Sequence, residues 1–112
     1  MSRTRSVREA PYRGVVELEL TGEIFFWRGP SPFHFVRVPE PQAQALRDIA
    51  REVTYGWGMV PVDVRTGSTV WQTSLWPKDG GYLVPVKDRV REAEGIDTGD
   101  VVTLALSVRP RR

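Results

Sequence analysis

Hydrophobic and polar side chains alternate strictly near the start of the chain. Residues 13–20 (RGVVELEL) place Val16, Leu18 and Leu20 on one face and two glutamates on the other. This period of two is typical of a β-strand with one buried face. The same alternation returns in residues 101–108 (VVTLALSV). We therefore predict a half-buried strand in each of these two segments.

Further segments are rich in β-branched and aromatic residues, which strands favour. They are residues 22–28 (GEIFFWR), 33–38 (FHFVRV), 59–65 (MVPVDVR), 69–76 (TVWQTSLW) and 82–86 (YLVPV). The intervening sequences GPSP, TGS and PKDGG consist mainly of residues that favour turns, so we predict that neighbouring strands form hairpins. Alternation along 69–76 puts Trp71 and Trp76 on opposite faces of their strand.

Two segments have helical spacing instead. In residues 41–53 (PQAQALRDIAREV), apolar residues recur three and four apart, and Pro41 suits the first turn of a helix. Residues 87–95 (KDRVREAEG) predict a shorter helix that is capped by Gly95.

These elements predict a mainly β protein: a small antiparallel β-barrel, closed or pseudo-closed, of about seven strands with one long and one short helix. We assign residues 13–108 to a single barrel domain, residues 1–12 to a basic, disordered tail and residues 109–112 to a second basic tail. The order of elements in the first half is similar to that in the second, which fits a barrel made of two strand–helix–strand halves.

Composition excludes several kinds of site. The chain has no cysteine and one histidine, His34, so disulfides, thiolate zinc sites and cysteine nucleophiles are ruled out, and we predict no metal and no cofactor. No apolar run approaches the roughly 20 residues that span a bilayer, and the first residues lack the apolar region of a signal peptide. We therefore expect a cytoplasmic protein without a membrane partner.

The formal net charge of +2 conceals basic ends on an acidic body. Arginine side chains near both termini are candidates for contacts with nucleic-acid phosphates, although solvated tails explain the same composition. These arginines are Arg3, Arg5, Arg8, Arg109, Arg111 and Arg112.

Aromatic residues are the one excess, with four tryptophans, three tyrosines and four phenylalanines. Such side chains fill a barrel core, or they line a small-ligand cavity together with a few polar groups. The candidates for such a cavity are Trp71, Arg65, Ser74, Tyr82 and Lys87. Lys87 starts a helix, where a cation faces the unfavourable end of the helix dipole. We expect it to pair with a carboxylate such as Asp63, or to bind an anion.

Three segments carry a resemblance to a known family: FHFVRVP (33–39), GWGMVPVDV (56–64) and residues 71–106, from WQTSLWPKDGG to DTGDVVTLAL. Over residues 13–108 the chain resembles the bacterial family called domain of unknown function 1905. That resemblance implies a small β-barrel and supplies no assigned activity or catalytic residue. Residues 83–106 also resemble the strand–helix–strand unit of swapped-hairpin, AbrB-like transcription regulators, whose dimerised hairpins present arginines to DNA.

We therefore predict an uncharacterised β-barrel protein that acts as a non-catalytic binding or interaction module, with a small molecule or a protein as its partner. The first alternative is a nucleic-acid-binding protein that uses the terminal arginines. The second is an enzyme of unknown type that uses Lys87, Ser74 or His34, although no G-x-S-x-G nucleophile motif is present.

Overall fold

The computed structural model describes residues 8–10, 15–29, 33–50, 54, 56 and 58–108. The strands are β1 (Arg8–Ala10), β2 (Val15–Trp27), β3 (Phe33–Arg37), β4 (Val60–Thr66), β5 (Thr69–Lys78), β6 (Gly81–Pro85) and β7 (Val101–Val108). The helices within this part of the chain are α1 (Glu40–Asp48) and α2 (Asp88–Glu94).

Six of these strands form a closed antiparallel ring in the order β2-β3-β6-β5-β4-β7, and β7 pairs with β2 to close it. The prediction of a mainly β barrel with two helices is confirmed, with six strands in the barrel wall. The remaining strand, β1, pairs with the start of β2 outside the ring. Residues 8–10 had been assigned to the disordered tail, but here their backbone belongs to a strand.

Strand β2 is a single bent strand, where the sequence predicted two. Its first part pairs with β7 from Val16 to Glu23, and its last part pairs with β3 from Ile24 to Trp27. Gly22 lies where the pairing changes, and a Cβ atom there would lie 2.8 Å from Cγ1 of Val36. The lack of a side chain therefore lets β2 pass close to β3 as it bends around the barrel corner.

The two halves of the barrel have the same order of elements and similar strand pairing. Both halves have the order strand, strand, helix, strand, and β5 changes partner from β4 to β6 just as β2 changes from β7 to β3. Across the central β3–β6 pair, the Val38 amide donates to Tyr82 O at 3.0 Å and the Val86 amide donates to His34 O at 2.9 Å. The repeat indicated by the sequence is therefore present, with His34 corresponding to Tyr82.

Apolar side chains from all six wall strands fill the barrel interior. The predicted faces are confirmed, because Val16, Leu18 and Leu20 are buried while the glutamates between them are exposed. Among the described residues Trp71 is the largest fully buried side chain, and its indole Nε1 donates to Pro85 O at 3.0 Å. That bond joins β5 to β6 in the interior.

A second aromatic cluster lies on the outer face of β2, β3 and β5. Its rings lie 5–6 Å apart and comprise Phe25, Trp27, Phe33, Phe35 and Trp76. Trp71 and Trp76 therefore lie on opposite faces of β5, as the alternation predicted.

The helices begin and end close to the predicted positions. Pro41 lies in the first turn of α1, which ends at Asp48, whereas the predicted helix ran on to residues 51–53, which lie outside the described residues. Gly95 ends α2 in the left-handed conformation at φ 66°, as expected. The PKDGG turn is shorter than predicted, because only Asp79 and Gly80 form it, with φ of 51° and 80°.

Neither described helix has the length and apolar character needed to cross a membrane.

Candidate functional site

The five residues predicted to line a ligand cavity do not meet in the structure. Trp71 and Tyr82 belong to the barrel core, with relative exposures of 1% and 6%. Arg65 is exposed on the outer face of β4, and Ser74 borders a shallow depression of about 330 Å³ between β4 and β5. Lys87 precedes α2 and borders a different cleft. The five side chains are therefore distributed between the barrel core and separate parts of the surface.

Lys87 has a structural partner, and it is not the predicted carboxylate of Asp63. Its Nζ donates to the backbone oxygen of Gln72 at 2.9 Å. Strand β5 pairs with β6 only from Trp76 onward, so the preceding part of that strand edge has no strand neighbour. The Lys87 ammonium group therefore gives one carbonyl of this open edge a hydrogen-bond donor.

A cleft of about 690 Å³ opens beside Lys87, between α2 and the ends of β2 and β3. Aromatic and charged side chains line it together. We call it the α2 cleft; its lining residues are Phe26, Phe33, His34, Lys87, Asp88, Arg89 and Arg91.

The apolar side of the α2 cleft is an angled pair of rings. Phe26 and His34 are directly opposite in the β2–β3 pair, and their ring centroids lie 4.9 Å apart at an interplanar angle of 54°. Phe26 is 44% exposed and lines the cleft, so part of its side chain is accessible there. An accessible aromatic side chain can pack against a flat group.

One arginine at the cleft floor is held by acids on two sides. The Arg91 guanidinium forms an ion pair with Asp88, and its Nη1 donates to Asp97 Oδ1 at 3.2 Å. The Nε of Arg91 is buried and has no acceptor among the described residues. These bonds fix the guanidinium plane, because Arg91 is largely buried.

Asp97 connects this arginine to the histidine. Its Oδ1 lies 3.8 Å from His34 Nε2 and accepts the Thr98 amide at 2.7 Å. That backbone hydrogen bond is the main cause that lowers the pKa of Asp97, and the charges of Arg91 and His34 lower it further. The Asp97 carboxylate therefore lies close to both His34 and Arg91 through the same oxygen, Oδ1.

Two cations of the α2 cleft are not neutralised in this way. Arg89 is exposed and forms no ion pair with any carboxylate that the structure describes. Lys87 donates one of its three N–H groups to an uncharged carbonyl, so its charge has no counterion in the same part of the chain. The cleft therefore offers an apolar ring face beside two cationic donors.

Among the described residues, the corresponding position beside α1 is occupied by a buried side chain. Tyr82 is opposite Pro77 there, as His34 is opposite Phe26, and the phenol is buried. Burial raises the pKa of Tyr82, and the nearby Arg47 charge partly opposes this. Arg47 covers the site by donating to Gly80 O at 2.7 Å and pairing with Glu40.

The sequence predicts Lys87 as a cavity residue and places Lys87 and His34 together only as candidate enzyme residues, and it misses Phe26, Phe33, Arg89 and Arg91 as cleft residues. Phe26 and His34 lie eight positions apart, and only the hairpin register brings them together. If the strands on either side of the GPSP turn are aligned as an antiparallel hairpin, Phe26 and His34 can be predicted to lie opposite each other.

The arginines predicted to bind nucleic acid are not tested by any described contact. Arg3, Arg5, Arg109, Arg111 and Arg112 lie outside the described residues, and Arg8 belongs to β1. Nucleic-acid binding by these residues stays a prediction, as does an enzyme that uses Lys87, Ser74 or His34. Among the residues that the structure describes, no group of three or more histidine and acidic side chains is placed to hold a metal ion.

Comparison with known proteins supports the family assignment. The family model described as domain of unknown function (DUF1905) matches residues 21–106, which include all six strands of the barrel wall in whole or in part and both helices. No curated protein gives a significant match. The family model covers most of the 112 residues, and the chain therefore belongs to the family called domain of unknown function 1905.

Proposed function

We propose that this protein is a binding module for a small organic anion, and that the α2 cleft is its ligand site. The observation that carries the proposal is the juxtaposition of an exposed aromatic ring, Phe26, with two cations that lack a carboxylate partner among the described residues, Lys87 and Arg89. Small-ligand sites combine apolar walls with a few placed polar groups in this way.

The size of the α2 cleft also supports a ligand. Its volume of about 690 Å³ lies within the roughly 300–1,000 Å³ of ligand pockets. At the corresponding position beside α1, the described residues include the buried Tyr82 and the Arg47 side chain, which donates to Gly80 O. Opening the α2 side leaves Phe26 partly in water, an exposure that a ligand would remove.

Titration of the isotopically labelled full chain with benzoate tests the proposal by nuclear magnetic resonance. Benzoate carries both a ring and a charge, so we expect shift changes centred on Phe26, His34 and Arg89. Acetate lacks the ring and benzyl alcohol lacks the charge, and both should perturb these signals less at equal concentration.

Arg89→Gln removes the exposed cation and should weaken benzoate binding several-fold. Arg65→Gln is the matched control, because Arg65 is an exposed arginine on the outer face of β4, away from the α2 cleft. Shift changes scattered over the surface, or equal affinity in both variants, would contradict the proposed site.

A further inference from the structure

We infer that the ligand of the α2 cleft is a nucleoside phosphate, free or within a single strand. This inference rests on the proposed function and specifies the ligand class. Three features of the cleft restrict the class of ligand: a pair of cations, a partly exposed aromatic ring and an exposed carboxylate.

The cations favour a phosphate. A phosphomonoester carries roughly −1.5 to −2 charges at neutral pH and three acceptor oxygens. Lys87 and Arg89 supply two positive charges that are not paired with a carboxylate that the structure describes. Arginine binds phosphate oxygens in a bidentate manner, and lysine binds them as a point charge. A carboxylate ligand would leave one of these two charges without a counterion.

The ring face favours a flat aromatic group. Phe26 exposes part of its ring, and the tilted His34 ring forms the second wall of a wedge. Bases stack on phenylalanine and histidine in single-stranded nucleic-acid sites. The cleft volume of about 690 Å³ leaves room for a sugar between such a ring and the cations.

The rim carboxylate favours a ligand that also donates hydrogen bonds. Asp88 lines the cleft and is highly exposed, and although one oxygen pairs with Arg91, a carboxylate has further acceptor sites. An acid in an anion site is unfavourable unless the ligand brings N–H or O–H groups to it. The hydroxyls of a ribose and the exocyclic amine of a base supply such donors, whereas phenyl phosphate and benzoate do not.

The inference is tested by calorimetric and magnetic-resonance titration of the full chain with adenosine monophosphate, adenosine, phenyl phosphate, benzoate and a short oligoadenylate. We expect adenosine monophosphate to bind roughly tenfold more tightly than adenosine or phenyl phosphate, because only it uses all three groups. Phe26→Ala and Arg89→Gln should each weaken it by about tenfold, since each removes one group. Val70→Ala and Arg65→Gln, both at exposed positions outside the lining, should leave it unchanged.

The outcomes separate this inference from the proposed function. If benzoate and phenyl phosphate bind in the α2 cleft as tightly as adenosine monophosphate, the nucleotide class is overturned and the anion module stands. If no probe shifts the cleft signals, both fail. If the oligoadenylate binds more tightly than the mononucleotide and loses affinity in both cleft variants, the source is a single strand. Oligoadenylate binding that both variants retain, with no mononucleotide bound, would move the contacts elsewhere and overturn the inference.

Discussion

At two places in this barrel a helix packs beside a wall strand: α1 beside β2, and α2 beside β5. We call these places the two helix–strand junctions. Both contain a similar hydrogen bond from a side chain to a strand carbonyl, but the surrounding side chains differ. Beside α1, Gln42 Nε2 donates to Glu19 O at 2.9 Å; beside α2, Lys87 Nζ donates to Gln72 O at the same distance. Strands β2 and β5 both change partner along their length, so each junction has an open strand edge that needs a polar side chain. The Lys87 contact is therefore explained by barrel construction before any ligand is considered.

What differs is the filling beside each helix. Among the described residues, Tyr82 is buried and Arg47 lies beside it on the α1 side, whereas Phe26, His34 and two cations line a cleft on the α2 side. Among the described residues, the same strand pairing holds a buried tyrosine, Tyr82, on the α1 side and a half-buried histidine, His34, on the α2 side. The departure from symmetry is consequently the strongest structural argument for a site beside α2.

The largest effect that we predict concerns the packing of the barrel interior. It tests whether removal of a buried side chain destabilises both halves to a similar extent. Leu20 and Trp71 occupy corresponding inward positions, five residues before Phe25 and Trp76. Trp71→Ala should lower the free energy of unfolding by about 4 kcal/mol and Leu20→Ala by about 3 kcal/mol, because both leave cavities in a packed core. Urea denaturation measures both values.

Trp71→Phe separates the cavity from the hydrogen bond. It keeps most of the ring but leaves Pro85 O without its indole donor, so a loss of roughly 1–3 kcal/mol is expected. A Trp71→Ala variant as stable as the parent protein would mean that the barrel interior is not closed around this ring.

Alternation and turn chemistry predicted the inward faces of the strands, the opposed tryptophans and the Gly95 cap because these depend on residues close in sequence. The α2 cleft depends on contacts that local patterns do not contain. His34 meets Asp97 across the fold, and Lys87 meets a carbonyl that is open only because β5 changes partner. For the same reason the sequence suggested Asp63 for Lys87, although the partner is a backbone atom that carries no sequence signature.

A smaller effect concerns the bend that only the first half accommodates with glycine. Gly22→Ala should lower the free energy of unfolding by about 2 kcal/mol, because the new methyl group would collide with Val36 in the packed interior. Thermal and urea unfolding measure the loss, and Gly80→Asn is a suitable control. Gly80 has φ of 80° and open space around its Cβ position, and asparagine tolerates this conformation, so a cost below about 1 kcal/mol is expected. Equal costs at the two glycines would contradict a steric origin at the bend.

The smallest effects that we predict concern the pH dependence of stability, which should differ between the two junctions because Tyr82 and Asp97 titrate at opposite ends of the pH range. Burial raises the pKa of Tyr82 in the folded protein. The contribution of the neutral Tyr82 phenol to the free energy of unfolding is therefore fully present below the pKa of the unfolded chain, about 10. It is lost as the pH rises through the pKa of the folded protein. The folded pKa of Asp97 is lowered, mainly by the Thr98 amide. Its contribution is present above the unfolded value of about 3.9 and is lost as pH falls through the folded value.

The free energy of unfolding, measured with urea between pH 2 and 11, should fall at both ends of this range. We expect Tyr82, on the α1 side, to contribute to the fall at high pH, which we call the alkaline limb. We expect Asp97, beside the α2 cleft, to contribute part of the fall at low pH, which we call the acid limb. Tyr82→Phe should flatten only the alkaline limb, because it removes the phenol that the folded state keeps neutral. Asp97→Asn should reduce only the acid limb, and by less, since the Asp97 side chain is mostly exposed and other carboxylates titrate in the same range. If Asp97→Asn left the acid limb unchanged, the negative charge of Asp97 would contribute nothing to folding, and its contacts with His34 and Arg91 would not stabilise these two cleft residues.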